Sequence, residues 1–365
     1  MSSLNPAMNI SISFYCLLMM CSLSENAYEV LRSREREGYK RIEQYLLLSS
    51  PSDDIWDKFY NPESYNTLVT TSKRVTQNNH VFVHYVLFQN LRSWGAISIS
   101  NPNNDTKVLV STSSFFNCHS KNGGGAIYIL LSEFYSNYGS CVQYKICSYK
   151  SKIDDFTKGS HSYIWATNDA SYKNFVIEST FTQNAGHTSV LYHRDGSILF
   201  SSINISHSKL YESAAFATSS KFTRSTNFSN FNNISSESEN CFDIWLQNNF
   251  YFCNVIGNSV SGNPTGIFHL FLVTFTVNHC YFKGNIATRL FLYIPPDSKL
   301  IANECHFESD NEFTNNGDIQ NPKKLNELIL SNLYFSYLCE APKQQNIILT
   351  TIKYNRFYRL NNRRR

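Results

Sequence analysis

Ser114-Phe115-Phe116-Asn117-Cys118-His119-Ser120-Lys121-Asn122-Gly123-Gly124-Gly125-Ala126-Ile127-Tyr128-Ile129 is the stretch on which the fold turns. A short β-prone run ends in Phe and Asn, a polar turn follows, and a glycine cluster opens a second alternating strand. Read this way, it is one coil of a pattern that recurs along the chain.

The recurrence is traced by the apolar residue that closes the first strand of each coil. From Val81 onward these markers are Phe88, Phe116, Tyr149, Phe181, Ile205, Phe231, Ile256, Phe282, Phe307 and Phe335. From Phe181 on they fall roughly 25 residues apart, within the range of solenoid repeats, and the content of each repeat is β rather than helical. The longer gap from Phe116 to Phe181 holds two coils with insertions. The Leu/Asn consensus that leucine-rich repeats require is absent.

Each part of the repeat has a physical reason. Two positions before the marker stand Cys147, Cys280 and Cys305; side chains two apart share a strand face, so they form a second inward column. Asn or Gly follows the marker, as at Asn90, Asn117, Asn184, Asn230, Asn232, Asn258, Asn285 and Asn311. These types tolerate the left-handed conformation of a tight corner, and stacked Asn side chains bond from coil to coil. The next strand opens at small residues: Trp94-Gly95-Ala96-Ile97, Gly124-Gly125-Ala126-Ile127, Ser213-Ala214-Ala215-Phe216 and Thr265-Gly266-Ile267-Phe268. The expectation is an all-β solenoid, a right-handed parallel β-helix of about ten coils over 81–340, its hand taken from the general rule for parallel crossovers.

Gly124-Gly125-Ala126-Ile127 matches a GGA[I/L/V] motif, and Phe181-Thr182-Gln183-Asn184 and Phe282-Lys283-Gly284-Asn285 match an FxxN motif. In both, the chain resembles the polymorphic outer-membrane proteins of chlamydiae and the related β-helix surface proteins of parasitic protists, whose Asn-, Tyr- and Phe-rich composition it shares. The resemblance spans Val81–Phe335. It implies surface display and adhesion, with a host-surface protein or a glycan as partner, although neither a C-terminal barrel nor a C-terminal membrane span is legible.

Composition agrees with a packed β-rich chain. Of 365 residues, 42% are hydrophobic and only 16% charged, so a core can form and the polar surface must come from Asn, Ser and Thr. A net charge of +4, with basic residues scattered except at Arg363-Arg364-Arg365, leaves no nucleic-acid footprint. Ile10–Leu23 has the length of a signal-peptide core with a cleavage site near Ser24, although no Lys or Arg precedes it, and it predicts an extracellular or cell-surface location. Glu25–Leu48 reads as a helical cap, Pro51–Gln77 as a turn-rich connector, and 341–365 as an irregular basic tail. The apolar run Gly266–Val277 is too short to span a membrane and keeps the coil phase, which predicts buried strands.

The candidate chemistry is sparse. A polygalacturonase-like hydrolase would need carboxylates on neighbouring coils of one sheet. Asp154-Asp155 and Gly186-His187 stand in the order such enzymes use, but the remaining motif residues are missing. A calcium-dependent lyase site would need clustered carboxylates, whereas Asp195, Asp243, Asp297 and Asp310 are separated in sequence. His80 and His84 read as a surface pair, and Cys280 and Cys305 as buried free thiols on adjacent coils. No cofactor or metal is expected. Asn104, Asn204, Asn227 and Asn233 are N-glycosylation sequons, usable in a secreted chain where they face outward. The functional expectation is a non-enzymatic surface or secreted binding scaffold, with a polysaccharide lyase or glycoside hydrolase as the alternative.

Overall fold

The computed structural model describes residues 53–320, apart from short internal stretches of which the longest are 101–104, 131–138 and 309–316. The apolar N-terminal run, the helical cap expected over 25–48, Asn104, Asn311, Phe335 and the basic tail lie outside the described residues.

Within them the chain is a parallel β-solenoid. Its strands stack into sheets of eleven, nine, six and eight members, and neighbours in each sheet come from successive coils. A coil passes through the eleven-stranded, the nine-stranded, the six-stranded and then the eight-stranded sheet. Among the described residues the eight-stranded sheet gives about eight turns of the ten expected over 81–340. The marker at Phe307 belongs to a partial turn whose described strands reach only the eleven- and nine-stranded sheets, and Phe335 is not described.

The register corrects three markers. Phe88 pairs with Phe115, Phe115 with Ser148, and Phe231 with Val255, so the inward column runs through Phe115, Ser148 and Val255, not Phe116, Tyr149 and Ile256. Phe115 is buried, whereas Phe116 and Tyr149 point outward and stack on each other at 5.4 Å. In each case the next residue is also apolar or aromatic, Phe116, Tyr149 and Ile256, and a one-residue slip moves a side chain to the other face. By the same shift Cys147 leaves the inward column, which instead holds Ser113, Ile146, Ser179, Ile203, Ser229, Cys253, Cys280 and Cys305.

Two corners flank the nine-stranded sheet. At the second, Asn90, Asn117, Asn233, Gly257 and Gly284 are left-handed, as their types predict, beside Lys150, Gln183 and His207. At the first, the left-handed residues are Tyr85, Thr112, Lys145, Glu178, Ser202, Phe228, Phe252, His279 and Glu304. None is Asn or Gly. Their conformation is enforced by stacking: the Thr112, Lys145, Glu178 and Phe252 amides donate to the next coil's Tyr144, Ile177, Ser201 and Asn278 carbonyls at 2.9–3.0 Å. The ladder therefore runs unbroken through the corner, and each left-handed residue is over-determined by its neighbours.

Just past the corners, inward polar side chains catch amides that no strand satisfies. Ser113, Ser179 and Ser229 accept the Val86, Ile146 and Ile203 N–H groups at 3.1–3.2 Å. The Asn of FxxN works in the same way. Asn184, Asn258 and Asn285 are not the left-handed residues but stand one position later, turned inward. Asn184 Oδ1 accepts the Ser151 amide at 2.9 Å, and Asn285 Oδ1 accepts both the Asn258 amide and Asn258 Nδ2 at 3.1 Å.

The core is a stack of aromatic and aliphatic columns. Phe242 lies over Phe268 at 4.3 Å and Phe282 over Phe307 at 4.8 Å, each pair nearly parallel. Gly266–Val277 resolves into two solenoid strands, Gly266–Phe271 and Thr274–Asn278, as its phase predicts. Inside the expected connector lies a helix, Asp53–Tyr60. Trp56, Phe59 and Tyr60 pack on Phe82, Leu109 and Val142, which face outward from the eleven-stranded sheet. The helix thus covers a side of the solenoid.

Candidate functional site

The solvent face of the eight-stranded sheet is where chemistry-bearing side chains gather. Its strands alternate: Ile127, Ile129, Ile164 and Leu191 are buried inward, so Tyr128, Tyr163 and Tyr192 face out. Register places these three tyrosines on successive coils. Their rings follow one another at 5.6 Å and 5.2 Å. Two residues along the same strands, Trp165 is paired with Arg194, whose guanidinium lies 4.2 Å from the indole centroid. Lys158 Nζ sits 4.5 Å from the centre of the Tyr192 ring and donates to its hydroxyl at 3.1 Å. Half-burial in this row raises the Tyr128 phenol above its ordinary value.

Glycine makes the floor flat. A Cβ at Gly123 would lie 3.2 Å from the Tyr163 ring and 3.1 Å from the Lys158 carbonyl oxygen. At Gly125 a Cβ would stand 2.6 Å from the Lys152 carbonyl oxygen and closer still to that of Ser160. The glycine cluster therefore serves close approach of coils, which the tyrosine row needs.

Farther along the same face the character changes. Asp243 Oδ1 and His269 Nδ1 are 2.9 Å apart, and Trp245 Nε1 donates to Asp243 Oδ2 at 2.9 Å. Trp245 is 42% exposed and packs on Phe271 at 4.5 Å. Glu239 is held above the usual carboxylate range by partial burial and by Glu212 and Asp243, against the opposing pull of His269 and His187. His187 is 3.9 Å from Glu212. Glu239 and Asp243 share one coil, while Glu212 and His269 come from the coils on either side, and coil stacking brings these neighbours to them.

The interior holds polar groups that the sequence reading missed. His161 and His193 are fully buried. His161 Nε2 is 3.0 Å from Gln143 Oε1, and His193 Nε2 is 2.8 Å from Ser162 Oγ. Burial depresses both imidazoles, His193 to about 3, and the proximity of His193 lowers His161 further. Arg224 is buried too; its guanidinium donates to the Trp245 carbonyl oxygen, and burial lowers it to about 10 despite the charge of Asp195. The only signal in the sequence was an His or Arg at a position that alternation assigns to the core.

The motif residues are placed as stacking elements. Gly124 is left-handed, Ala126, Phe181 and Phe282 are buried, and Asn184 and Asn285 bridge coils. Cys280 and Cys305 are free buried thiols, with the Cys280 amide donating to Cys305 Sγ at 3.5 Å. Burial pushes the Cys118 thiol up to about 12. His84 is buried, not a surface residue, and lies 5.1 Å from the Phe82 ring, while His80 faces Glu63. Asp154 pairs with His119 at 2.6 Å, and His187 lies 3.9 Å from Glu212, while Asp155 lies outside the described residues. Asn233 is exposed, Asn227 half-buried, and Asn204 only 8% exposed. Among the described residues, no three His, Cys, Asp or Glu side chains are placed to hold a metal ion, and no helix is long and apolar enough to cross a membrane.

No family model, curated protein or solved structure matches this chain. The functional reading therefore rests on the face itself.

Proposed function

We propose that the chain is a non-enzymatic binding scaffold, displayed or secreted, whose eight-stranded sheet lays out an extended glycan along its solvent face. The observation that carries this reading is the outward row Tyr128, Tyr163 and Tyr192 with Trp165 beside it. Aromatic rings on a solvated face have an apolar body and a polar handle, the combination that packs on the C–H faces of sugars while bonding their hydroxyls. The coil spacing of about 4.8 Å also offers one aromatic per step of a linear polymer.

The test is native affinity electrophoresis of the full chain in gels containing soluble polysaccharides. Retardation that is lost in Tyr163→Ala/Tyr192→Ala, with the far-ultraviolet circular dichroism unchanged, supports the reading; unaltered retardation by the double variant overturns it.

The second reading, a polysaccharide-cleaving enzyme, draws on Glu239. A carboxyl held up by burial beside a second carboxyl group is the pairing that general acid catalysis uses. Release of new reducing or unsaturated ends from a retarded polymer, abolished in Glu239→Gln, would favour it over simple binding.

A further inference from the structure

Resting on the reading of this face as a glycan-binding surface, we infer that the sugar it takes is anionic, and that Lys158 and Arg194 receive its carboxylate or sulfate groups. Tyr163 and Trp165 lie on one coil, and Tyr192 and Arg194 on the next at the same two outward positions. Lys158 flanks Tyr192 from the side. The five side chains form one block, an aromatic floor with a cation at each margin.

Both cations are held in place by rings rather than by acids. Lys158 is exposed and bonds to the Tyr192 hydroxyl; Arg194 lies over Trp165. Neither forms an ion pair with a described residue, although His119, Lys107, Lys145, Lys209, His269 and His279 all do. The nearest carboxylate in sequence, Asp195, accepts the Trp165 indole N–H at 2.7 Å and lends its charge to buried Arg224. Arg194 Nε is buried and meets no hydrogen-bond acceptor of the described protein. A cation stacked on an aromatic keeps its outer N–H groups free, and a guanidinium presents them in the fork that matches a carboxylate or sulfate. Such a pair discriminates against neutral sugars, because a hydroxyl brings neither the opposite charge nor the two acceptor oxygens that a carboxylate or sulfate offers.

The same gels decide it with three polymers that share one backbone: dextran, carboxymethyl-dextran and dextran sulfate, with a single-stranded oligothymidylate as a fourth probe. The charged dextrans are expected to retard the full chain more than dextran does. Lys158→Ala/Arg194→Ala is expected to weaken that binding about tenfold or more, as loss of charge-assisted bonds predicts. Lys73→Ala/Lys283→Ala, which removes two exposed lysines elsewhere, is expected to bind as before; an equal loss there would reduce the effect to general charge attraction and overturn the assignment. Dextran binding that needs Tyr163 but ignores Lys158 and Arg194 would overturn the anionic inference and leave the glycan reading standing. No retardation by any dextran, or tighter binding of the oligothymidylate, would overturn both.

Discussion

Thr112 occupies a left-handed corner with φ of 47°, a conformation that costs an L-residue about 1–2 kcal/mol and a β-branched one most of all. Thr112→Gly is therefore expected to stabilise the protein by about 1 kcal/mol in urea denaturation, net of the entropy glycine adds to the unfolded chain. A loss of stability would show that the side chain contributes more than its strain. Asn258 is the reverse case. Its side chain accepts the Ile234 amide at 3.0 Å and donates to the Phe231 carbonyl at 3.1 Å, both inside the core. Asn258→Ala strands both groups and is expected to cost about 2–3 kcal/mol. His193 gives stability a pH dependence. Its folded-state value, about 3, lies below its ordinary 6.5, so the unfolded chain binds the proton first. The contribution is complete above about 6.5 and is lost progressively as the pH falls toward 3. The gap between urea midpoints at pH 7 and pH 4.5 should narrow in His193→Val, the remainder belonging to groups such as buried His161; an unchanged gap would assign the whole effect to those other groups.

At the scale of elements, two contacts carry distinct loads. Gly125 lets one coil approach the next, and Gly125→Ala drives a methyl into the Ser160 and Lys152 carbonyls. A clash with backbone has no flexible partner to yield, so a loss exceeding about 3 kcal/mol or insoluble expression is expected. The helix Asp53–Tyr60 is held through Trp56, which is buried and donates Nε1–H to the Glu63 carbonyl. Trp56→Ala is expected to cost about 3–5 kcal/mol in the same denaturation assay. These elements also show what was legible beforehand. The parallel solenoid could be read because alternation, corner residues and a recurrent marker agree over many coils. The helix was obscured by the proline and acidic residues around it, and its partner column, Phe82, Leu109 and Val142, lies in strands that are apolar on both faces. The aromatic face was present in Ile127-Tyr128-Ile129 and Tyr163-Ile164-Trp165, but periodicity weighs inward residues and is silent about outward ones. Glu239 and Asp243 are close in sequence, but placing Glu212 and His269 beside them needed the register itself, since only coil stacking brings those two near.

For the described solenoid as a whole, strands pair only with those of neighbouring coils, so stability is set largely locally and propagates along the stack, with the helix Asp53–Tyr60 the exception that packs across three coils. Amide exchange is expected to be slowest in the central coils around Phe216–Phe268, where the aromatic stacking is densest, and faster toward both ends of the described solenoid. Uniform protection along all coils would point instead to a single cooperative unit. The corner column that runs from Tyr85 to Glu304 has one more consequence. Its backbone geometry is dictated by the coils above and below, while the side chains it carries range from serine to phenylalanine and reach solvent. The edge therefore behaves as a graduated rail: nine positions whose identity can be exchanged without re-aiming the chain, each one strand spacing from the next, so that spin labels or fluorophores attached there would measure distance along the molecule in steps of about 4.8 Å.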